Sequence, residues 1–181
     1  MQSELRTKRL VLRRWRSEDR AAFAALNADP NVGEFLPRMT RADSDAAVDR
    51  IERHFAERGF GFWALEITGV TSFAGMVGLA VPRFQAHFTP CVEIGWRLAS
   101  EYWNHGYATE AAQAALDFGR DELALAEIVA FTVPENVRSR RVMERLGMTR
   151  DPRDDFDHPM LAEGDPLRRH VLYRIVFGKG R

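Results

Sequence analysis

Hydrophobic residues recur along the chain with two kinds of spacing, which together predict alternating strands and helices. Alternating or continuous apolar runs, typical of strands, occupy residues 9–15, 60–67, 73–81, 91–98, 127–133 and 170–177. Apolar residues three or four positions apart, typical of amphipathic helices, occupy residues 17–28, 40–58, 106–119 and 136–146. Antiparallel strands come first and a strand–helix–strand unit follows, so the order predicts an α/β protein with a mixed sheet covered by helices.

Polar residues and glycines mark where these predicted elements begin and end. Ser17 is the expected N-cap of the first helix, and the Asp29-Pro30-Asn31 run ends it. Gly59 is expected to stop the second helix and Gly147 the last one. Residues 68–72 predict a hairpin turn between the second and third strands.

The composition points to one domain without a disulfide or zinc framework. The 181 residues contain no repeat or linker, so we expect a single domain over 1–181 with its core at about 7–177. Cys91 is the lone cysteine. Lys and Arg number 26, as do Asp and Glu, so no net charge attracts nucleic acid or an anionic membrane. No apolar run reaches the roughly 18–20 residues of a membrane span, and no secretory signal is visible, which predicts a cytoplasmic protein.

The segment from Cys91 to Ala115 is the richest in candidate chemistry. A predicted strand runs into a short loop, and Gly106 opens a helix rich in alanine. Free N–H groups at a helix N-terminus bind phosphate, and glycine lets a ligand approach the backbone closely. The segment contains neither the GxGxxG fingerprint nor a P-loop. Taken alone, it also fits an ordinary strand–helix connection.

A second segment, taken with the first, resembles a known family. WNHGYATEA at 103–111 and NVRSRRVMERLGM at 136–148 resemble the GNAT N-acetyltransferase superfamily, and within it the RimJ/RimL-type branch of ribosomal-protein N-terminal acetyltransferases. The resemblance extends from TKRLVLR at 7–13 to RRHVLYRI at 168–175. It implies the acyl-CoA N-acyltransferase fold, which is a mostly antiparallel central sheet with a splayed strand pair and about four flanking helices.

The resemblance also implies the residues that bind acetyl-CoA. Those expected to wrap its pyrophosphate are Asn104, His105, Gly106, Tyr107, Ala108 and Thr109. Those expected to line the pantetheine and acetyl group, mainly through the backbone, are Ile94, Gly95, Trp96, Arg97 and Leu98. Asn136 matches the family residue that hydrogen-bonds pantetheine. CoA phosphates are expected near Arg138, Arg140 and Arg141, each of which also fits a solvated helix face. Trp103 replaces the family's usual Gln or Arg.

Two residues are candidates for moving protons. Glu93 is the candidate general base, taking the amine proton directly or through water, although an ion pair with Arg97 explains it equally well. Many members of the superfamily use a tyrosine as the acid for the leaving thiolate, and Met143 stands at that position. Ser139 resembles the serine used in this branch, although helix capping is an equal alternative. By resemblance, a backbone N–H near Ile94 to Trp96 polarises the carbonyl.

Further polar and aromatic residues have candidate roles outside the two motifs. Residues 154–158 are dense in Asp and His, but a solvated loop is the favoured interpretation, and the five histidines do not form a metal set. Cys91 is expected in the core rather than as a nucleophile. Phe84 to Phe88 are the best candidates for the acceptor pocket, and Tyr173 is expected to face the same cleft.

The sequence therefore predicts an N-acetyltransferase that uses acetyl-CoA and no metal. The acceptor is a primary amine, either a protein N-terminal α-amine or a small molecule, and transfer is direct. The alternative is an acyl-CoA-binding sensor that is weak or inactive as a catalyst, suggested by Met143. Neither nucleic acid nor a membrane is an expected partner, and the chain is expected to act as a monomer or homodimer. The acceptor region is assigned to residues 17–58 and 149–168.

Overall fold

A computed structural model describes residues 4–178, so the outer limits of the predicted domain at 1 and 181 lie outside the described residues. The strands are β1 (Leu5–Arg6), β2 (Leu10–Arg13), β3 (Phe62–Ile67), β4 (Thr71–Ala80), β5 (Glu93–Leu98), β6 (Glu127–Thr132), β7 (Thr149–Arg150), β8 (Phe156–Asp157) and β9 (Arg169–Val176). The helices are α1 (Asp19–Ala28), α2 (Arg41–Arg58), α3 (Tyr107–Asp121) and α4 (Val137–Arg145). The predicted mixed sheet and four helices are confirmed.

The chain forms two compact units. The first contains the described residues up to Ala80 together with Gly95–Ala115, and the second contains Val81–Ile94 and the described residues from Leu116 onward. The expectation of a single domain stays a prediction.

Antiparallel strands and two helices build the first unit. β1 pairs with β2, β2 with β3, and β3 with β4. α1 and α2 pack with Trp15 and Ala64 through a shared apolar cluster that includes Phe23 and Val48. α2 begins as its sequence predicts, because Thr40 and Asp43 form a capping box, and it ends at Gly59, which has a φ of 78°.

The second unit is organised around β6 and β9, which pair antiparallel. β5 pairs with β6 in parallel, with Glu93 opposite Val129. β7 and β8 both pair with β9. Phe88, Phe156 and Leu172 belong to the buried cluster of this unit, and Cys91 packs against that cluster. The predicted core position of Cys91 agrees with this packing.

The structure differs from the sequence expectation at the start of α1. Ser17 is not the N-cap: the helix follows Glu18, which makes no side-chain capping bond. Asp19 is instead the polar residue at this end, because its carboxylate accepts a 2.8 Å bond from the Arg16 N–H and pairs with Arg13. Because Val11 and Arg13 are buried as well as Leu10 and Leu12, both faces of β2 are covered.

Candidate active site

The loop that precedes α3 has an unusual backbone. Asn104 has a φ of 64° and Gly106 a φ of 79°, so two of three consecutive residues are left-handed. Glycine adopts this conformation without strain, and asparagine tolerates it better than most residues. Both residues are exposed, and the Gly106 carbonyl accepts the first helical bond, 3.0 Å from the Glu110 N–H. The N–H groups of the next turn have no carbonyl partner within the helix and are available to an anion.

The buried face of α3 is formed in part by alanines. Ala111, Ala112 and Ala115 are completely buried, whereas His105 on the preceding loop is exposed. Small side chains let the helix approach its neighbours closely, as the sequence predicts. The helix thus presents an open N-terminal end on a tightly packed body.

Arg9 holds this loop in place, a role that sequence reasoning missed. Its Nη1 donates to the His105 carbonyl over 3.0 Å, and its Nε donates to Glu110 over 2.7 Å. The guanidinium also lies 4.7 Å from the centre of the Tyr107 ring. Glu110 also accepts a 2.6 Å bond from the Thr7 hydroxyl. Arg9 and Thr7 lie in the TKRLVLR stretch and Glu110 in the WNHGYATEA motif, which is the signal that could have indicated them.

The last four residues of β5 belong to the first unit, and three of them, Gly95, Trp96 and Arg97, are partly accessible. Gly95 lies against Phe62, and a Cβ at this position would be 3.1 Å from the Phe62 ring. Leu98 is buried, and its carbonyl accepts a 2.9 Å bond from the Trp103 indole. Trp103, which departs from the family pattern, therefore anchors the start of the loop through its side chain.

Arg97 makes contacts that the sequence did not suggest. Its Nη1 donates to Asn27 Oδ1 over 2.5 Å and lies 3.4 Å from Met39 Sδ. The guanidinium is 5.8 Å from the centre of the Phe23 ring. Burial lowers the pKa of Arg97 to about 10. The alternative of an ion pair with Glu93 is wrong, because in residues 4–178 Arg97 has no carboxylate partner.

Glu93, the first residue of β5, lies in the second unit. Burial raises the pKa of its carboxyl group to about 7, because the ionised form is poorly solvated there. Among the described residues, no cation forms a salt bridge with it. A carboxyl group that titrates near neutrality can accept a proton from an amine and release it again. The neighbouring Ile94 is buried.

At the start of α4, Asn136 is the N-cap. Its side-chain oxygen accepts a 3.1 Å bond from the Ser139 N–H, and its amide nitrogen donates to Thr132 Oγ1 over 3.1 Å. Asn136 thus caps α4, and the alternative that the Ser139 side chain caps the helix is wrong. In residues 4–178 the Ser139 hydroxyl has no hydrogen-bond partner. It is partly exposed.

Three further residues of α4 differ in their surroundings. Arg140 donates to the Pro134 carbonyl over 3.0 Å and to the Tyr173 hydroxyl over 3.3 Å, so intramolecular contacts already engage it. Arg141 is exposed, as a phosphate-binding residue requires. Met143 is buried, which explains why an apolar residue fits the position where other members have tyrosine.

The weaker assignments have different outcomes. Tyr173 is 3% exposed and donates to Glu144 over 3.0 Å, so the expectation that it faces a cleft is wrong. Phe84 lines a pocket of the second unit together with Val81 and Cys91. Burial raises the pKa of the Cys91 thiol to about 11, which leaves it a poor nucleophile.

The aspartates of residues 154–157 are held by arginines. Asp154 accepts a 2.9 Å bond from Arg174, and Asp155 pairs with Arg150. Across residues 4–178, no group of three or more His, Cys, Asp and Glu side chains is arranged to hold a metal ion. In the same part of the chain, no helix has both the length and the apolar character needed to cross a membrane.

Comparison with known proteins agrees with this fold and its loop. The family described as acetyltransferase (GNAT) domain matches residues 9–149. The Bacillus subtilis protein called uncharacterized N-acetyltransferase YnaD is 34% identical over 172 residues, covering 94% of this chain and 95% of that protein. The FsC-acetyl coenzyme A-N(2)-transacetylase of Aspergillus fumigatus is 31% identical over 156 residues, covering 82% of this chain and 66% of that protein.

Solved structures of acetyltransferases are similar to this chain in fold. The acetyltransferase (GNAT family) from Bacillus anthracis has a TM-score of 0.76 and 28% identity, covering 96% of this chain and 98% of that one. Mycobacterium smegmatis RimJ in complex with CoA-disulfide has a TM-score of 0.70 and 22% identity, covering 92% and 81%, which shows a shared fold. The family match and the shared fold therefore define an acetyltransferase. Because the family match covers most of the chain, the chain belongs to the GNAT family of N-acetyltransferases.

Proposed function

We propose that this protein transfers the acetyl group of acetyl-CoA directly to a primary amine, as an enzyme of the RimJ/RimL-like type. The observation that carries the proposal is the exposed left-handed loop at the start of α3, held from one side by Arg9. Such a loop offers backbone N–H groups to a diphosphate at the positive end of a helix dipole. A cytoplasmic location stays a prediction from the sequence.

In this proposal, the backbone supplies most of the binding. Residues 104–109 hold the diphosphate, and residues 94–98 hold the pantetheine and acetyl group. Gly95 suits this role because its main chain is not shielded by a side chain of its own. By resemblance to the family, Asn136 is the candidate amide for pantetheine and Arg141 the candidate cation for a CoA phosphate. Arg140 is left out, because Pro134 and Tyr173 already engage it.

The reaction needs a neutral amine. Deprotonating a lysine-type amine with a pKa of about 10.4 at pH 7 costs about 4–5 kcal/mol, whereas an α-amine at about 7.7–8 costs only about 1 kcal/mol. The amine nitrogen attacks the thioester carbonyl, its excess proton passes to Glu93 directly or through water, and the C–S bond breaks to release CoA thiolate. The Ser139 hydroxyl donates a hydrogen bond to the thiolate and relays a proton to it from solvent, so the serine stays neutral. The products are the N-acetyl amine and free CoA thiol.

The free hydroxyl of Ser139 supports its part in this scheme. Asn136 does the capping, so the hydroxyl is not needed to start α4. A CoA thiol with a pKa of about 8.5 leaves as thiolate at a cost of only about 2 kcal/mol at pH 7. A hydrogen bond from the serine hydroxyl is therefore enough to assist departure of the thiolate.

The names of relatives agree with amine acetylation without fixing the acceptor. The Aspergillus relative is named as an acetyl coenzyme A-N(2)-transacetylase and the Mycobacterium structure as RimJ with a CoA-disulfide. We take from them the use of CoA and a nitrogen acceptor. Both a protein N-terminal α-amine and a small-molecule amine remain in the proposal.

The test is release of free thiol from acetyl-CoA by the purified full chain, given a panel of peptide and small-molecule amines. Mass spectrometry of the same reactions identifies the acetylated product. We expect amine-dependent thiol release and a mass increase of one acetyl group. An acyl-CoA-binding sensor would show calorimetric heat with CoA but no thiol release with any amine. Absence of heat with millimolar CoA or acetyl-CoA would contradict both functions.

A further inference from the structure

Among the described residues, Arg97 has no negatively charged partner for its guanidinium. Its side chain is partly buried in the first unit, yet its hydrogen-bond partners are the Asn27 amide oxygen at 2.5 Å and the Met39 sulfur at 3.4 Å. Both are uncharged. A guanidinium has five N–H donors in a planar fork, and these two contacts use only one nitrogen. In residues 4–178, Nε and Nη2 of Arg97 have no acceptor.

Other arginines with shielded side chains show what is missing. Arg13 pairs with Asp19 and Glu66, and Arg174 pairs with Glu127 and Asp154. A desolvated cation without an anion is unfavourable, so proteins pair such charges or do without them. A neutral side chain with an N–H donor could make the same bond to Asn27. Among residues 4–178, the Phe23 ring at 5.8 Å attracts the charge of Arg97, but an aromatic ring accepts no bidentate hydrogen bond and supplies no counter-charge.

The side chain of Arg97 is also held in position by its surroundings. Asn27 Nδ2 donates to Ser44 Oγ over 3.0 Å, and Ser44 Oγ donates to the Thr40 carbonyl over 3.1 Å. These bonds fix the orientation of the Asn27 amide, so its oxygen faces Arg97. α1 and α2 together thus position a guanidinium whose outer donors are unused, as preorganised recognition of an anion requires.

We propose that Arg97 binds a carboxylate carried by the amine acceptor. The inference rests on the proposed function and narrows its substrate class to amines whose molecules also hold a carboxylate, such as an amino acid or a peptide with an acidic side chain. A planar carboxylate matches the guanidinium fork with two parallel hydrogen bonds. The phosphates of CoA have their own donors in the 104–109 loop. The contacts of Arg97 lie instead on α1 and on the segment before α2.

The experiment compares acceptors that differ only in a carboxylate. Peptide amides Ala-Glu-NH2 and Ala-Gln-NH2 have nearly the same α-amine, and an amino acid with its carboxamide forms the small-molecule arm. Thiol release by the wild-type chain gives kcat/KM for each. We expect about tenfold to a hundredfold preference for the carboxylate member of at least one pair, and the arm that shows it identifies the source of the carboxylate. Equal kcat/KM within both pairs, with thiol release present, overturns this inference and leaves the proposed function intact.

Variants of Arg97 test whether this residue causes the preference for the carboxylate acceptor. Arg97→Gln is expected to reduce the ratio to about one, and Arg97→Lys to retain part of it. The matched control Arg41→Gln removes an exposed arginine of α2 and should keep the wild-type ratio. A preference that survives Arg97→Gln in a folded variant contradicts the assignment. If Arg97→Gln does not fold, the wild type is tested instead for inhibition by a carboxylate that lacks an amine and by the corresponding amide. We expect only the carboxylate to inhibit. Equal inhibition by the two compounds, or inhibition by neither, contradicts the proposal.

Discussion

Glu93 and Cys91 are two positions apart, and desolvation raises the pKa of both, with different chemical results. The Cys91 thiol is shifted to about 11, well away from neutral pH, so it stays protonated. The Glu93 carboxyl is shifted to about 7, into the range where a base can both accept and release a proton. The same physical effect thus keeps the Cys91 thiol protonated and lets the Glu93 carboxyl group titrate near neutral pH.

At the residue scale, Glu93→Gln should lower kcat/KM at pH 7 by about 10²-fold or more, which is the usual size of general-base catalysis. A base must be deprotonated, so wild-type activity should fall as the pH drops through about 7, the pKa of Glu93. The variant should lack this inflection. It should also recover part of its activity above about pH 8, where an α-amine is neutral without help. Initial rates of thiol release from pH 5.5 to about 9 measure both effects.

The control for this variant is Glu122→Gln, which removes an exposed carboxylate after α3. It should reproduce the wild-type profile. An unchanged rate and pH profile in Glu93→Gln would remove Glu93 from the mechanism.

Ser139→Ala should reduce turnover more than CoA affinity, because Asn136 and not Ser139 caps α4. The expected loss of kcat is up to about tenfold, since a thiolate leaves at little cost without an acid. Calorimetry with CoA should give nearly the wild-type Kd. Ser17→Ala, at an exposed serine before α1, is the matched control. Unchanged turnover in Ser139→Ala would show that the hydroxyl has no catalytic part.

At the scale of elements, α3 depends on a distant part of the sequence. Arg9 directly precedes β2 in the chain and contacts the loop carbonyl of His105, the Tyr107 ring and Glu110 on α3. These contacts support the left-handed backbone at Asn104 and Gly106. The loop that we propose as the phosphate site is therefore held by contacts from a residue far away in the sequence.

Arg9→Met should weaken binding of acetyl-CoA by about tenfold, because it removes the bond from Arg9 to the loop carbonyl of His105. A hydrogen bond to a charged group contributes about 1.5–3 kcal/mol, and water replaces part of it at this exposed position. The melting temperature should change little, since Arg9 is exposed. Calorimetry with CoA and a thermal melt separate the two readouts. Arg6→Met, at an exposed arginine of β1, should leave Kd unchanged. Equal Kd values for Arg9→Met and wild type would contradict the positioning role.

The sequence predicts long elements with clear end signals well. The 40–58 helix was predicted from its apolar spacing and Gly59, and the structure places α2 at Arg41–Arg58. β1, β7 and β8 have only two residues each, too few for a recognisable alternation. The motifs indicated the loop at 104–109, whereas the contacts of Arg97 arise from tertiary packing of α1 and the segment before α2. Local sequence contains no signal for such contacts.

At the scale of the whole molecule, Arg13 connects several elements of the first unit. Its guanidinium forms a bidentate pair with Asp19 on α1, with distances of 2.8 and 2.9 Å. It also pairs with Glu66 on β3 at 3.2 Å and donates to the Ser72 carbonyl on β4 over 2.5 Å. The Arg13 and Asp19 side chains are each 4% exposed. Hydrogen bonding to Asp19 raises the pKa of Arg13, so the pair remains ionised.

Arg13→Met should lower the free energy of unfolding by about 3–5 kcal/mol, because it leaves the Asp19 carboxylate buried without its cation. Arg13→Met combined with Asp19→Leu should lose less than Arg13→Met alone, since the combination leaves neither charge buried without a partner. Urea unfolding monitored by tryptophan fluorescence gives the midpoint and slope for each. Arg41→Gln, which breaks the exposed pair with Asp45, should cost less than about 1 kcal/mol. If Arg13→Met costs no more than Arg41→Gln, the buried pair does not stabilise the fold, and the attachment of α1 to the sheet depends on apolar packing around Phe23 alone.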